Sequence, residues 1–181
     1  MLTALQTKKL TRLFTLYDTN RDGVIARADY ELVAHSTALA LSHQPGSPEY
    51  AQLQTEYMAS WDNLQRLADS NQDNQLTVAE FLTGYDNLMT QKERFAEVIM
   101  GLVKTTLTLQ DTDKDGKVSQ QEHHDFLVAF NTTPKEAADT FRRLDRDGDG
   151  FLTTAEMVLN TEEFFLSSEP QAPGNWLVGP Y

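Results

Sequence analysis

The densest chemistry in the chain lies in twelve consecutive residues, Asp145-Arg146-Asp147-Gly148-Asp149-Gly150-Phe151-Leu152-Thr153-Thr154-Ala155-Glu156. Counted from Asp145, acidic side chains stand at positions 1, 3 and 5, glycine at 6, an apolar residue at 8 and glutamate at 12. Carboxylates at alternate positions are ligands for a hard divalent cation, and calcium takes about six to eight oxygens at one point. No helix or strand aims that many oxygens at one place. A tight loop does, if alternate side chains converge and glycine takes a positive-φ kink at position 6. Position 7 adds its backbone carbonyl, here that of Phe151, and the glutamate closes the shell with both oxygens.

The same spacing recurs three more times. Asp111-Thr112-Asp113-Lys114-Asp115-Gly116-Lys117-Val118-Ser119-Gln120-Gln121-Glu122 meets every position, with Asp111, Asp113, Asp115, the Lys117 carbonyl and Glu122 as its ligands. Residues 69–80 offer Asp69, Asn71, Asp73, the Gln75 carbonyl and Glu80, but place Asn74 where the glycine should be. Asparagine is the non-glycine residue that best tolerates the left-handed region. Residues 18–29 offer Asp18, Asn20, Asp22, the Val24 carbonyl and Asp29. Aspartate at position 12 is one methylene short, so it is expected to reach the ion with one oxygen and to tilt this loop from calcium toward magnesium. At position 9, Thr77, Ser119 and Thr153 are usable oxygens, whereas Ala26 leaves that place to water.

Loop starts at 18, 69, 111 and 145 leave intervals of 51, 42 and 34 residues, the last being what a minimal helix-loop-helix repeat needs. Helices must flank each loop. Residues 3–17 read as one, capped by Thr3 and Gln6, with Leu10, Leu13, Phe14 and Tyr17 on one face. A second runs over 29–43 with Tyr30 and Val33 inward. A third starts at Ser47-Pro48 and carries Tyr57, Trp61 and Leu64. Phe81, Tyr85 and Leu88 follow the second loop. Thr90 and Glu93 pattern as a capping box for a helix to about residue 110. Phe126, Leu127 and Phe130 follow the third loop, Thr133-Pro134 opens the helix carrying Phe141 and Leu144, and Met157 and Phe164 face inward after the fourth. Single hands leave an apolar face and an unpaired position 8, so they are expected in pairs, Ile25 with Leu76 and Val118 with Leu152, as short ribbons. The expected fold is all-α: four helix-loop-helix motifs in two paired lobes, 1–90 and 91–165, forming a compact globule. The tail, 166–181, holds Pro170, Pro173, Gly174, Gly179 and Pro180, which argue against helix. It also holds Trp176, Leu177, Val178 and Tyr181, too apolar for solvent. It is expected as an extended segment docked in an apolar cleft.

Composition fits this reading. The net charge is −12, and 14 of the 27 acidic residues stand in the four loops. The acidity is therefore concentrated at the sites, and it argues against nucleic acid or an anionic membrane as partner. Four divalent ions would bring the net charge from −12 to −4. There is no cysteine, which excludes disulfides and thiolate sites. Neither an apolar leader nor a membrane-length apolar run occurs, so a cytoplasmic monomer is expected. His35, His43 and His124 read as solvated helix residues, and His123 as making a partly apolar contact on the helix leaving the third loop, rather than as catalytic residues. No nucleophile-base pattern accompanies them, and no enzyme is expected.

Binding calcium leaves open what the binding is for. A sensor exposes an adaptable, methionine-rich groove to a target protein. Here Met1, Met58, Met89, Met100 and Met157 are scattered, and the apolar faces carry stiff aromatics such as Phe14, Trp61, Tyr85, Phe126 and Phe141. That favours a buffer or carrier over a sensor, and no protein target is read from the sequence. Four hands, a long first interval, imperfect early loops and an aromatic-rich body resemble the sarcoplasmic calcium-binding proteins. The closing Ala172-Pro173-Gly174-Asn175-Trp176-Leu177-Val178-Gly179-Pro180 is similar to their bacterial, calerythrin-type branch. The resemblance implies EF-hands packed as one globule that buffers or carries calcium in the cytosol.

Overall fold

The computed structural model describes residues 1–128 and 132–181. Phe130, expected on the helix leaving the third loop, lies outside them. The described chain forms eight helices and four short strands: α1 (Ala4–Tyr17), β1 (Val24–Ala26), α2 (Arg27–Ala40), α3 (Pro48–Ala68), β2 (Gln75–Thr77), α4 (Val78–Met89), α5 (Lys92–Gln110), β3 (Val118–Ser119), α6 (Gln120–Val128), α7 (Pro134–Leu144), β4 (Phe151–Leu152) and α8 (Thr154–Leu166). Each strand lies at the end of one acidic loop. β1 pairs antiparallel with β2, placing Ile25 opposite Leu76, and β3 pairs with β4, placing Val118 opposite Leu152. All four residues are fully buried. The architecture is the expected one, two paired lobes of helix-loop-helix motifs joined by two-stranded ribbons.

Local signals account for most helix starts. Thr3 accepts from the Gln6 amide and Gln6 answers to the Thr3 amide, closing a capping box. Thr77, Thr133 and Thr153 do the same with Glu80, Glu136 and Glu156. Ser47 caps α3, with Pro48 at its first position. Two boundaries differ from the expected ones. Helix α2 spans 27–40, not 29–43, because Asp29 sits one turn inside it and accepts from the Ala26 amide. Helix α5 has Gln91, not Thr90, before its first residue and no side-chain cap. The Thr90 hydroxyl instead donates to Asn87 O and ends α4.

An aromatic seam runs through the core. Tyr17 stacks on Tyr30 with ring centroids 4.8 Å apart, and Tyr30 leans on Trp61. Tyr85, from the first lobe, stacks on Phe165 of the second at 5.1 Å, and Phe95 and Phe164 meet Phe165 edge-on. Such pairs add roughly 0.5–1.5 kcal/mol each beyond the area they bury.

The tail departs from its expected form. Residues Pro173–Trp176 make a 3-10 turn seated on α7 and α8, not an extended strand. Gly174 and Asn175 are the buried part, whereas Trp176 is half-buried, with the Arg143 guanidinium 3.9 Å from its ring centroid. A buried lysine fixes this seat. Lys9, 0% exposed, donates through Nζ to Asn175 Oδ1 at 2.8 Å, Ser167 O at 3.0 Å and Glu163 O at 3.1 Å. Burial pushes its pKa down to about 8, and the nearby Glu163 carboxylate opposes that shift. The folded value lies below the ordinary 10.5, so between pH 8 and 10.5 the unfolded chain holds the extra proton and stability rises with pH. The expected gain is about 3 kcal/mol. Urea denaturation at pH 8 and pH 10.5 measures it against Lys9→Met, and an equal pH response in both proteins would refute it.

Candidate metal centres

Each loop is a cage of its own backbone amides around its first acidic residue. In the third loop Asp111 Oδ1 accepts from Asp115 N at 3.1 Å and Oδ2 from Gly116 N at 3.0 Å. Asp113 Oδ1 accepts from Asp115 N, and Asp115 Oδ1 from Lys117 N. The fourth loop repeats this with Asp145, Asp147 and Asp149, accepting from Gly148, Gly150, Asp149 and Phe151 amides. In both loops the three aspartates bring one oxygen each to within 4.8 Å of one another. Like charges at such separations repel unless a cation lies among them.

The position-12 acids hold the loops shut. Glu122 accepts from Thr112 N and Ser119 N, and Glu156 from Arg146 N and Thr153 N, all at 2.8 or 2.9 Å. Partial burial pushes both carboxyls up, but these hydrogen bonds outweigh it and hold them below the ordinary range. Glu80 is held low first by the Thr77 amide, then by its hydroxyl.

The first loop shows how the shorter acid is accommodated. Asp29 is 1% exposed; Oδ1 accepts from Thr19 N and Asn20 N, and Oδ2 from Ala26 N. Both oxygens reach the backbone that glutamate reaches elsewhere. Asp18 accepts from Asp22 N and Gly23 N. In the second loop Asn74 takes φ of 64°, and its side-chain oxygen accepts from Gln65 Nε2 at 2.6 Å. Asp69 Oδ2 accepts from the Asn74 amide, whereas the buried Asp69 Oδ1 has no partner among the described residues. A buried carboxylate oxygen without a donor fits a cation ligand.

Position 4 of every loop is also left-handed: Arg21 at φ 61°, Gln72 at 62°, Lys114 at 62° and Gly148 at 74°. A non-glycine residue there costs roughly 1–2 kcal/mol. The fourth loop alone has glycine at both kinks and forms with the least strain. The sequence signal was present in Gly148, but only its position-6 counterpart carries a ligand rule.

His123 makes the expected apolar contact, its ring beside Phe141, and is buried further than that, 2% exposed with Nδ1 2.9 Å from Gln110 Oε1. His124 is part-exposed beside Asp125. No described helix is long and apolar enough to cross a membrane.

The family model described as "EF hand" matches residues 137–158, which contain the fourth loop. Calerythrin of Saccharopolyspora erythraea is 28% identical over 166 residues, covering 91% of this chain and 94% of that protein. The sarcoplasmic calcium-binding protein of Scylla paramamosain is 30% identical over 144 residues, covering 74% of this chain and 72% of its own. The chain belongs to the sarcoplasmic calcium-binding protein family. Like its EF-hand relatives, the protein binds calcium. Among solved structures, the coelenterazine-binding protein from Renilla muelleri, in its calcium-loaded apo form, superposes with a TM-score of 0.79 at 26% identity. It covers 99% of this chain and 100% of that one.

Proposed function

We propose that the protein is a monomeric cytoplasmic calcium buffer or carrier, with residues 1–90 and 91–165 as its paired lobes and 166–181 as a docked tail. The ligands are the side chains at positions 1, 3, 5 and 12 and the carbonyl at position 7 of each loop. In the third and fourth loops these are Asp111, Asp113, Asp115, Lys117 and Glu122, and Asp145, Asp147, Asp149, Phe151 and Glu156. The second loop uses Asp69, Asn71, Asp73, Gln75 and Glu80. The first uses Asp18, Asn20, Asp22, Val24 and Asp29, and the short acid tilts it toward magnesium.

The observation that favours a buffer over a sensor is the stack of Tyr85 on Phe165, supported by Phe95 and Phe164. It joins the lobes through rigid rings, where a sensor would present flexible methionines to a target. Isothermal titration with calcium, with and without magnesium, together with small-angle scattering, tests the proposal. The expected result is two strong calcium sites, weaker sites in the first lobe of which one responds to magnesium, and one radius of gyration throughout. Expansion on adding calcium, with capture of a protein target only in calcium, would replace the buffer with a sensor.

A further inference from the structure

The second loop breaks two patterns at once. It has Asn74 where the other three have glycine, and α3 leads into it with Gln65 where the other entering helices carry an apolar side chain. Counted back four residues from the first aspartate of each loop, the residues are Phe14, Gln65, Leu107 and Phe141. All four occupy the same place, because the backbone oxygen of each accepts from the amide of that aspartate at 2.8 or 2.9 Å. Only at Gln65 can the side chain also donate a hydrogen bond into the loop.

The Gln65 amide group has two protons and spends both on the loop. Nε2 donates to Asn74 Oδ1 at 2.6 Å and to Asp69 Oδ2 at 3.3 Å. The first bond grips the side chain of the residue that takes the left-handed kink, at φ 64°. That conformation is unfavourable for a residue with a Cβ unless a local bond holds it. The second bond changes how the first aspartate is held. In the other three loops that aspartate gives one oxygen to each of two loop amides. Asp69 takes both of its bonds on Oδ2, from Gln65 and from the Asn74 amide. Its Oδ1 stays buried with no partner among the described residues, which suits a cation ligand.

We propose that Gln65, outside the twelve-residue motif, is a positioning residue of the second calcium site. It stands in for the missing glycine by holding Asn74 in the kink, and it fixes Asp69 so that Oδ1 is left for the ion. The inference rests on the reading of the second loop as a metal site and names a residue on which that site depends. Gln65 orders the ligands before the ion arrives, so its loss weakens binding without undoing the fold.

The test is a double-mutant cycle on the isotope-labelled full chain, titrated with chelator-buffered calcium and followed by nuclear magnetic resonance. The amide at position 74 donates to Asp69 Oδ2, so its proton resonance reports this site. Gln65→Leu supplies the side chain that the third loop has at the same place. It is expected to weaken the second site about tenfold and to leave the third and fourth sites unchanged. In an Asn74→Gly background the same change is expected to cost only about twofold, because glycine takes the kink without support. An unchanged midpoint in Gln65→Leu overturns the proposal, as does an equal weakening of the third and fourth sites, which marks a general loss of fold. Equal losses in the two backgrounds overturn the stand-in for glycine. A position-74 amide that ignores calcium in the unaltered protein, while the third and fourth loops fill, overturns the reading of the second loop as a metal site and the inference with it.

Discussion

Removing calcium is expected to lower the melting temperature by about 10–20 °C and to reduce helix content. A ligand present at about 100 times its dissociation constant stabilises the folded state by roughly 2.7 kcal/mol per site. The two loops with four acids each therefore contribute about 5 kcal/mol, and each kcal/mol moves the melting point of a chain this size by about 2–4 °C. Without ions, aspartate oxygens within 4.8 Å of one another repel in the third and fourth loops. That strain works directly against the ribbon joining Val118 to Leu152. Circular dichroism melts in calcium and in chelator decide the matter, and superimposable curves would sink it.

Gly174→Ala is expected to destabilise the protein by roughly 3–5 kcal/mol, out of proportion to one methyl group. A Cβ at Gly174 would stand 2.3 Å from Asn160 O and 2.6 Å from Glu163 Cβ, both on α8. The turn cannot move aside cheaply, because Gly174 N donates to Glu163 Oε2 and the next residue accepts from Lys9. Lifting the turn takes Asn175 Oδ1 away from Lys9 Nζ, and a buried cation that loses a partner is costly. Gly101→Ala, in α5 with nothing within 4 Å of its Cβ, is the contrast and gains up to about 1 kcal/mol of helix propensity. Urea midpoints of the two variants compare them. Equal midpoints would mean that the tail does not support the body.

The loops were legible because ligand chemistry constrains them residue by residue. An oxygen at a fixed position has few substitutes, and the apolar residue at position 8 fixes the ribbon register, so the pairing of Ile25 with Leu76 is legible in the spacing alone. The tail was legible only as apolar. Its turn is set by Gly174 fitting against α8, a tertiary contact with no local signature. Lys9 was illegible for a related reason. A lysine on an amphipathic helix patterns as solvent-facing, and only the carbonyls at the end of α8 and Asn175 show why it is buried. For His123 the apolar contact was legible and only its partner Gln110 was hidden. Thr90 misled because two helices meet there, and its hydroxyl serves the end of one rather than the start of the next.

The ribbons carry a consequence for how the ions come and go. In each, the residue following a carbonyl ligand lies directly opposite its counterpart in the other loop of an antiparallel pair, Ile25 against Leu76 and Val118 against Leu152. Neither loop can relax without pulling on its neighbour. Filling one therefore preorganises the other, and the coupling is reciprocal. Each lobe should exchange its two ions nearly as a unit, with a Hill coefficient above one. The two imperfect loops, with Asp29 and Asn74 at key positions, share one ribbon, so an ion in either helps to order the other.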